Sequence, residues 1–269
     1  MSLTTDPVIE AFDALASQYD QGFSAALNPV VSLLRERVYQ SLARHFSIGT
    51  TLLELGCGTG QDTLELTARG YRIVASDPSP KMIAEAKNKR RPGTAAPVFL
   101  CQGAAELAAS WPSLGLAVDG VFSNFGPLNC ELSLAPVRQL LENALRPGGR
   151  FVTVVLPRIC PLEVALFLLL GEPRTALRRF RRNPTADVEG RRFPIRYYGA
   201  GDFDRALGDG FRRVETRSLG LFLPPPRFGV TFGKIPGLLA ALSVMEDAVG
   251  GLPGARRMGD HVLLAYQRL

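Results

Sequence analysis

The chain alternates short apolar runs with longer stretches of helical periodicity. Apolar runs of strand length stand at 51–55, 71–76, 97–101, 118–123, 150–156, 211–219 and 261–266. Helical spacing covers 7–18, with Val8, Ile9, Phe12 and Leu15 as its apolar stripe, and 28–45, with Val30, Leu33, Leu34, Val38 and Leu42 inward. It returns at 61–68, 81–91, 136–145, 202–207 and 238–249. Asp6-Pro7 and Asn28-Pro29 each offer an N-cap followed by a proline at the first helical position, so a helix is expected to begin at each. Strands alternating with helices predict an α/β fold that presents ligand-binding groups at the carboxyl ends of its strands.

The most informative stretch is TLLELGCGTGQD, residues 51–62. An apolar strand ending in Glu54-Leu55 runs into Gly56, Cys57, Gly58, Thr59 and Gly60, and a helix follows. Glycines reach positive φ and let a ligand lie against bare backbone, while the helix aims free N–H groups into the corner. The dinucleotide fingerprint G-x-G-x-x-G occupies the same kind of turn, but here the third glycine comes too early. No lysine–hydroxyl pair follows the glycines, and no cation in the loop would grip a phosphate. A ligand meets backbone and the carboxylates Glu54, Asp62 and, at the end of the next strand, Asp77. That set suits a cationic, hydroxyl-rich molecule without phosphate.

The run E-L-G-C-G-T-G resembles motif I of the class I methyltransferases that use S-adenosylmethionine. The resemblance covers about 12–156 well and the last two strands moderately. It implies a doubly wound, Rossmann-like, seven-stranded, mostly parallel sheet, with an antiparallel last strand set between the fifth and sixth and an insertion after the fifth. It implies four parts: lid helices over 1–48, a cofactor-binding core over 49–157, a substrate-covering insertion over 158–200, and the rest of the core over 201–269. Asp77 matches the ribose-binding acid, Met82 the residue that covers the adenine face, and Phe12-Asp13 through Tyr19-Asp20 the lid segment. Many relatives carry an acid where this chain has Ala104, which leaves the adenine to backbone groups or to Gln102. The cofactor site implied is Tyr19, Glu54, Gly56, Cys57, Gly58, Gly60, Asp77, Pro78, Met82, Gln102, Ala104, Ala105, Ser123 and Asn124, with no metal.

Past residue 157 the chain leaves the shared core. A greasy helix at 161–170 is expected to turn inward as a pocket wall, a basic helix at 173–182 to turn its arginines outward, and a flexible loop to follow. Eight arginines lie between 174 and 196, the local source of a net charge of +6 from 31 basic and 25 acidic residues. Such a run meets nucleic acid, anionic lipid or an acidic substrate, or is simply a solvated face. The greasy run at 162–170 is too short to span a bilayer, though peripheral membrane contact stays open. Cysteines at 57, 101, 130 and 160 lack metal-like spacing and fit a reducing, cytoplasmic setting. The opening MSLTTDPVIEAFD does not read as a signal peptide. The size suits a monomer or homodimer.

Methyl transfer from a sulfonium is an in-line displacement that asks for placement, desolvation and sometimes a base. No dyad stands out, and His45 and His261 have no catalytic partner evident in the sequence. Tyr19, Asn124, Tyr197 and Tyr198 are the polar candidates for orienting an acceptor. Strand 118–123 continues as Asn124-Phe125-Gly126, without the motif of amino-methylating enzymes. The expected function is O-methylation of a small, substantially apolar molecule, with nucleic acid disfavoured. The alternatives are an RNA methyltransferase or a non-catalytic, cofactor-binding interaction protein.

Overall fold

The computed structural model describes residues 6–90 and 96–269. Its N-terminal half runs α1 (Pro7–Leu15), α2 (Tyr19–Phe23), α3 (Pro29–His45), β1 (Thr51–Leu55), α4 (Gln61–Ala68), β2 (Arg72–Ser76), α5 (Pro80–Asn88), β3 (Val98–Leu100), α6 (Ala104–Leu114) and β4 (Gly120–Ser123). There follow α7 (Ala135–Ala144), β5 (Arg150–Val155), α8 (Pro161–Leu169), α9 (Pro173–Ala176), β6 (Thr185–Val188), β7 (Arg191–Pro194) and α10 (Ala200–Leu207). The chain closes with β8 (Phe211–Leu219), α11 (Gly229–Gly233), α12 (Pro236–Val249) and β9 (His261–Arg268). Both expected caps form: Asp6 accepts from Val8 N at 2.8 Å, and Asn28 accepts from Val30 N at 3.1 Å and Val31 N at 3.3 Å.

Seven strands form one sheet in the order β3-β2-β1-β4-β5-β9-β8. β1 to β5 are mutually parallel, and β9 runs antiparallel between β5 and β8. Alternation along the buried strands divides the core into two layers. Phe151 and Val155 of β5 join Leu107, Trp111, Leu140 and Phe203 beneath α6, α7 and α10. Val152 and Val154 face the opposite way, among Leu34, Val38, Leu66, Ile83 and Leu239 of α3, α4, α5 and α12. The strand order reverses between β1 and β4, and a crevice opens there beyond their carboxyl ends.

The insertion differs from its expectation. The basic helix is only α9 and a 3-10 turn at Arg178–Phe180, and the expected flexible loop contains the hairpin β6–β7. Glu189 and Gly190 turn that hairpin with φ of 50° and 75°, the pair of positive values that matches strand twist. The greasy helix is inverted. On α8 it is Glu163 and Phe167 that are buried, whereas Leu168, Leu169 and Leu170 are 52%, 85% and 55% exposed. An ion cluster accounts for this. Arg179, 2% exposed, donates to Glu163 at 2.6 Å and 3.1 Å, to Asp260 Oδ1 at 2.7 Å, and to the carbonyls of Asp260 and Pro157 at 2.9 and 3.0 Å. Arg178 adds a second forked contact to Glu163 at 2.9 and 3.1 Å. Leaving one member of a buried ion pair uncompensated costs about 3–5 kcal/mol, so Glu163 keeps the inner face of α8 opposite Arg179. Cys160 joins Glu163 and Asp260 within 4.8 Å, with the Arg179 guanidinium as the cation bound to both carboxylates.

Candidate active site

The glycine corner is shaped by sterics. Gly56, Gly58 and Gly60 have φ of 72°, 52° and 78°. A Cβ on Gly56 would overlap Pro127, and one on Gly60 would meet Ala86 Cβ at 2.9 Å, whereas one on Gly58 would meet nothing within 4 Å. Gly58 therefore borders open space while its neighbours pack. Gly56 N and Cys57 N donate to Ser76 O at 2.8 and 2.9 Å, which ties the turn to the end of β2. Asp77 follows, with Oδ2 accepting from Gly58 N at 2.8 Å and Oδ1 from Ser79 N at 2.9 Å. Burial outweighs those hydrogen bonds and pushes the Asp77 carboxyl up to about 6. Glu54, beneath the corner, accepts from the Thr63 hydroxyl. Burial first, then the nearby Asp62 charge, push it up to about 8.

A cavity of about 460 Å³ opens over this floor. Asp77, Pro78, Met82 and Gln102 to Ala105 line one side; Phe125 to Leu128, Cys130 and Glu131 line the other; Val8, Ile9, Phe12 and Tyr19 close it from α1 and α2. A chamber of about 40 Å³ continues from it between Tyr19, Arg35, Glu54, Cys57, Asp62, Asn124 and Phe125. Two aspartates fasten the expected lid segment, α1 and α2, to the body. Asp13 accepts from Ser79 Oγ and, at 3.1 Å, from Lys81 N, at the start of α5. Asp20 accepts from Thr59 Oγ1 at 2.6 Å, Gln61 Nε2 at 2.7 Å and the Lys89 ammonium. Phe12 packs on Phe193 of β7 with ring centroids 5.9 Å apart, so the insertion supports the lid from outside. Burial pushes the Tyr19 hydroxyl up to about 12, where it stays protonated at neutral pH.

Charged and aromatic groups crowd the small chamber. Asp62 pairs with Arg35 and accepts from the Tyr39 hydroxyl at 2.6 Å and from Asn124 Nδ2 at 3.1 Å. Its charge is thus shared inside the protein, while the side chain borders the small chamber. Asn124 Oδ1 and Arg35 Nε are buried without a protein partner among the described residues. Phe125, at the end of β4, holds φ of 60°, a conformation that side chains other than glycine adopt rarely and mostly where a site requires it. The Arg35 guanidinium lies 4.9 Å from the Phe125 ring centroid, and the His261 ring meets Phe125 edge-on at 5.5 Å. His261 Nδ1 is 3.1 Å from Asp260 Oδ2, close enough for an ion pair though not aligned as a hydrogen bond. Despite its burial, Asp260 is held well below the usual carboxylate range by His261 and Arg179.

Of the residues named from sequence, Tyr19, Glu54, Gly56, Cys57, Gly58, Asp77, Pro78, Met82, Gln102, Ala104, Ala105 and Asn124 border these two spaces. Gly60 and Ser123 do not: Gly60 packs on Ala86, and Ser123 Oγ donates to Leu55 O at 2.8 Å. Gln102 also spends its amide on Ser110, at 3.2 Å. Tyr197 and Tyr198 lie behind the wall: the Tyr198 hydroxyl donates to Glu131 O at 2.6 Å, and Tyr197 sits under the Arg179 guanidinium at 5.6 Å. Cys101, expected in a core element, is exposed. Neither histidine stands apart from acids, since His45 Nε2 is 2.7 Å from Glu215. Sequence reasoning missed Arg35, Phe125 and the His261–Asp260 pair. Only the last left a trace, an acid directly before a histidine at a strand start.

The groups present fit a sulfonium nucleoside: backbone and the Asp77 carboxyl at the end of β2, the Glu54 carboxyl beneath the corner, and one buried orphan donor and one orphan acceptor at the small chamber. A methyltransferase domain profile matches residues 52–149. A demethylmenaquinone methyltransferase of Beutenbergia cavernae is 33% identical over 155 residues, 56% of this chain and 59% of that protein, so the match spans less than two thirds of its length. One from Mycobacterium marinum is 30% identical over 202 residues, 70% of this chain and 78% of that protein. In fold, magnesium protoporphyrin IX methyltransferase of Synechocystis PCC 6803 with bound S-adenosylmethionine superposes with a TM-score of 0.56 at 17% identity, covering 100% of both chains. The chain belongs to the class I S-adenosylmethionine-dependent methyltransferases, an enzyme family whose methyl donor is S-adenosylmethionine.

Proposed function

We propose that this enzyme methylates a small, substantially apolar acceptor at a hydroxyl oxygen, which takes the methyl from sulfur and gives up its proton; a quinol, the reduced form of the quinone class for which its relatives are named, carries such a hydroxyl. The observation that carries the reading is the lining beside the small chamber, where Phe125, Pro127 and Leu128 present apolar surface next to Asn124 and Tyr19. Asp77 would accept the two ribose hydroxyls, and Met82 would lie against the base. Glu54, Asn124 and Arg35 would hold the amino-acid end. S-adenosylmethionine, when bound, supplies an already activated methyl group, which leaves the chain to align the acceptor and exclude water. The lid held by Asp13 and Asp20 does the excluding. Tyr19, protonated, donates a hydrogen bond to an acceptor oxygen rather than taking its proton. His261, backed by Asp260, packs edge-on against Phe125 and fixes the ring that borders the acceptor.

The arginine run gives RNA little support. Arg179 is buried, and Arg178, Arg191 and Arg192 pair with Glu163, Glu10 and Asp187. Purified protein and methyl-labelled S-adenosylmethionine added together to extracts of cells lacking this protein test the proposal. Label should enter the organic-soluble fraction, in a product whose methyl is released as an alkyl ether would release it. Label confined to RNA, or to carbon-bound methyl, would refute the acceptor or the atom respectively.

A further inference from the structure

We infer that the end of α8 and the turn after it form a docking surface for an anionic phospholipid membrane. This surface is independent of the acceptor proposed above and would serve an enzyme of any substrate. Leu168, Leu169 and Leu170 are consecutive, so they point about 100° apart around the helix. All three are more than half exposed, and Leu169 is 85% exposed. Three successive leucines cannot all face water from a helix lying flat on the body; the helix end stands clear of it. Leu177 and Phe180, each 52% exposed, continue the apolar surface. Arg227 extends it toward the 226–235 segment, pairing with Glu172 at 3.1 Å and stacking on Phe167 at 4.8 Å, and Val230 beyond is 60% exposed.

Charge selects the partner. Residues 158–182 hold six arginines and two glutamates, hence +4, and both glutamates are already paired with arginine. Arg174, Arg181 and Arg182 are exposed in the same segment of chain as the leucines. Exposed apolar side chains in an arginine-rich segment match the boundary of an anionic bilayer, where the leucines enter the acyl region and the guanidiniums meet phosphate. A second copy of the chain is a poorer fit, because an isologous contact would set the same arginines against one another. Among the described residues no helix is long and apolar enough to cross a membrane, so the contact is peripheral.

Cosedimentation of the full chain with vesicles tests this, using phosphatidylcholine alone and phosphatidylcholine mixed with phosphatidylglycerol. Binding should favour the anionic vesicles and weaken with salt. Arg174, Arg181 and Arg182 changed together to Gln should reduce it by roughly a hundredfold, at about a factor of five per arginine near the surface. Leu169→Glu, and separately Leu168, Leu169 and Leu170 changed to Ser, should abolish it while leaving cofactor affinity unchanged. Equal binding to both vesicle types, no binding, or binding indifferent to the leucines would overturn the inference. So would a dimer in sedimentation velocity that the same leucine changes dissociate, since the face would then join two copies.

Discussion

Asp77→Asn should make the empty protein no less stable and the cofactor complex much weaker. Asp77 is 9% exposed, and burial pushes its carboxyl up to about 6 from the ordinary aspartate value of 3.8. A gap of that size corresponds to about 3 kcal/mol of unfavourable charge burial at neutral pH, to order of magnitude. The sign follows from linkage. With the folded pKa above the unfolded one, the folded state binds more protons between them, so stability of the empty protein rises as pH falls from 7 toward 4. Asparagine keeps one acceptor for Gly58 N or Ser79 N and removes the charge. It also removes the paired acceptor that two ribose hydroxyls need, a loss of about 2 kcal/mol or roughly thirtyfold in Kd. Because the ligand needs the carboxylate, affinity of the unsubstituted protein should drop about tenfold between pH 7 and pH 5, and that step should vanish in Asp77→Asn. Glu54, pushed to about 8, should add a second rise in affinity above pH 7 for the cationic cofactor, which Glu54→Gln removes and Asp77→Asn retains. Calorimetric titration from pH 5 to 9, with urea unfolding of the empty proteins alongside, measures all of this. An Asp77→Asn protein that unfolds more easily yet binds as tightly would show that the carboxylate is there for the fold.

Three further outcomes follow from the same geometry. Asp20→Asn weakens the contacts to Thr59, Gln61 and Lys89, so stopped-flow release of the cofactor should accelerate by about tenfold, with little change in thermal stability. Glu163→Ala leaves Arg179 buried without its forked partner and should lower unfolding free energy by about 3–5 kcal/mol, whereas Glu163→Ala with Arg179→Leu should recover part of the loss; urea titration decides. His261→Asn should loosen Phe125 and lower kcat while leaving cofactor Kd within about twofold, as steady-state rates and calorimetric titration check.

The sheet was legible because its signals are local. Asp6-Pro7 and Asn28-Pro29 each carry a cap and a proline in consecutive positions, and the run from Glu54 to Gly60 needs its glycines for reasons that any neighbouring fold would share. Asp77 was legible for the same reason, standing at the end of an apolar strand about twenty residues after the corner. Arg35 was not: it sits on an ordinary helical face of α3, and its value comes from Asp62, which is 27 residues away in sequence. Phe125 looks like any aromatic after a strand until its φ is known. The inversion of α8 was hidden most deeply, since composition promised a buried greasy helix. What turned it outward is the Glu163–Arg179–Asp260 cluster, whose members are 16 and 81 residues apart. Periodicity sees which residues are apolar, but not which polar ones will find partners inside.

The buried acids separate by what neutralises them. Asp62 has Arg35, Glu163 has Arg178 and Arg179, and Asp260 has Arg179 and His261. Three buried acids have no salt bridge among the described residues: Glu54, Asp77 and Glu246. Glu246 accepts from three backbone N–H groups, those of Gly220 at 2.9 Å, Phe222 at 2.8 Å and Leu223 at 3.4 Å, and so pins the chain that leaves β8. That is a complete structural use for a carboxylate. Asp77 has two backbone donors and Glu54 a single hydroxyl, and in both the balance of burial over hydrogen bonding raises the carboxyl. That shortfall supports the proposed site: hydroxyl groups at Asp77 and positive charge near Glu54, both of which S-adenosylmethionine would bring, would complete the two acids that the fold leaves short.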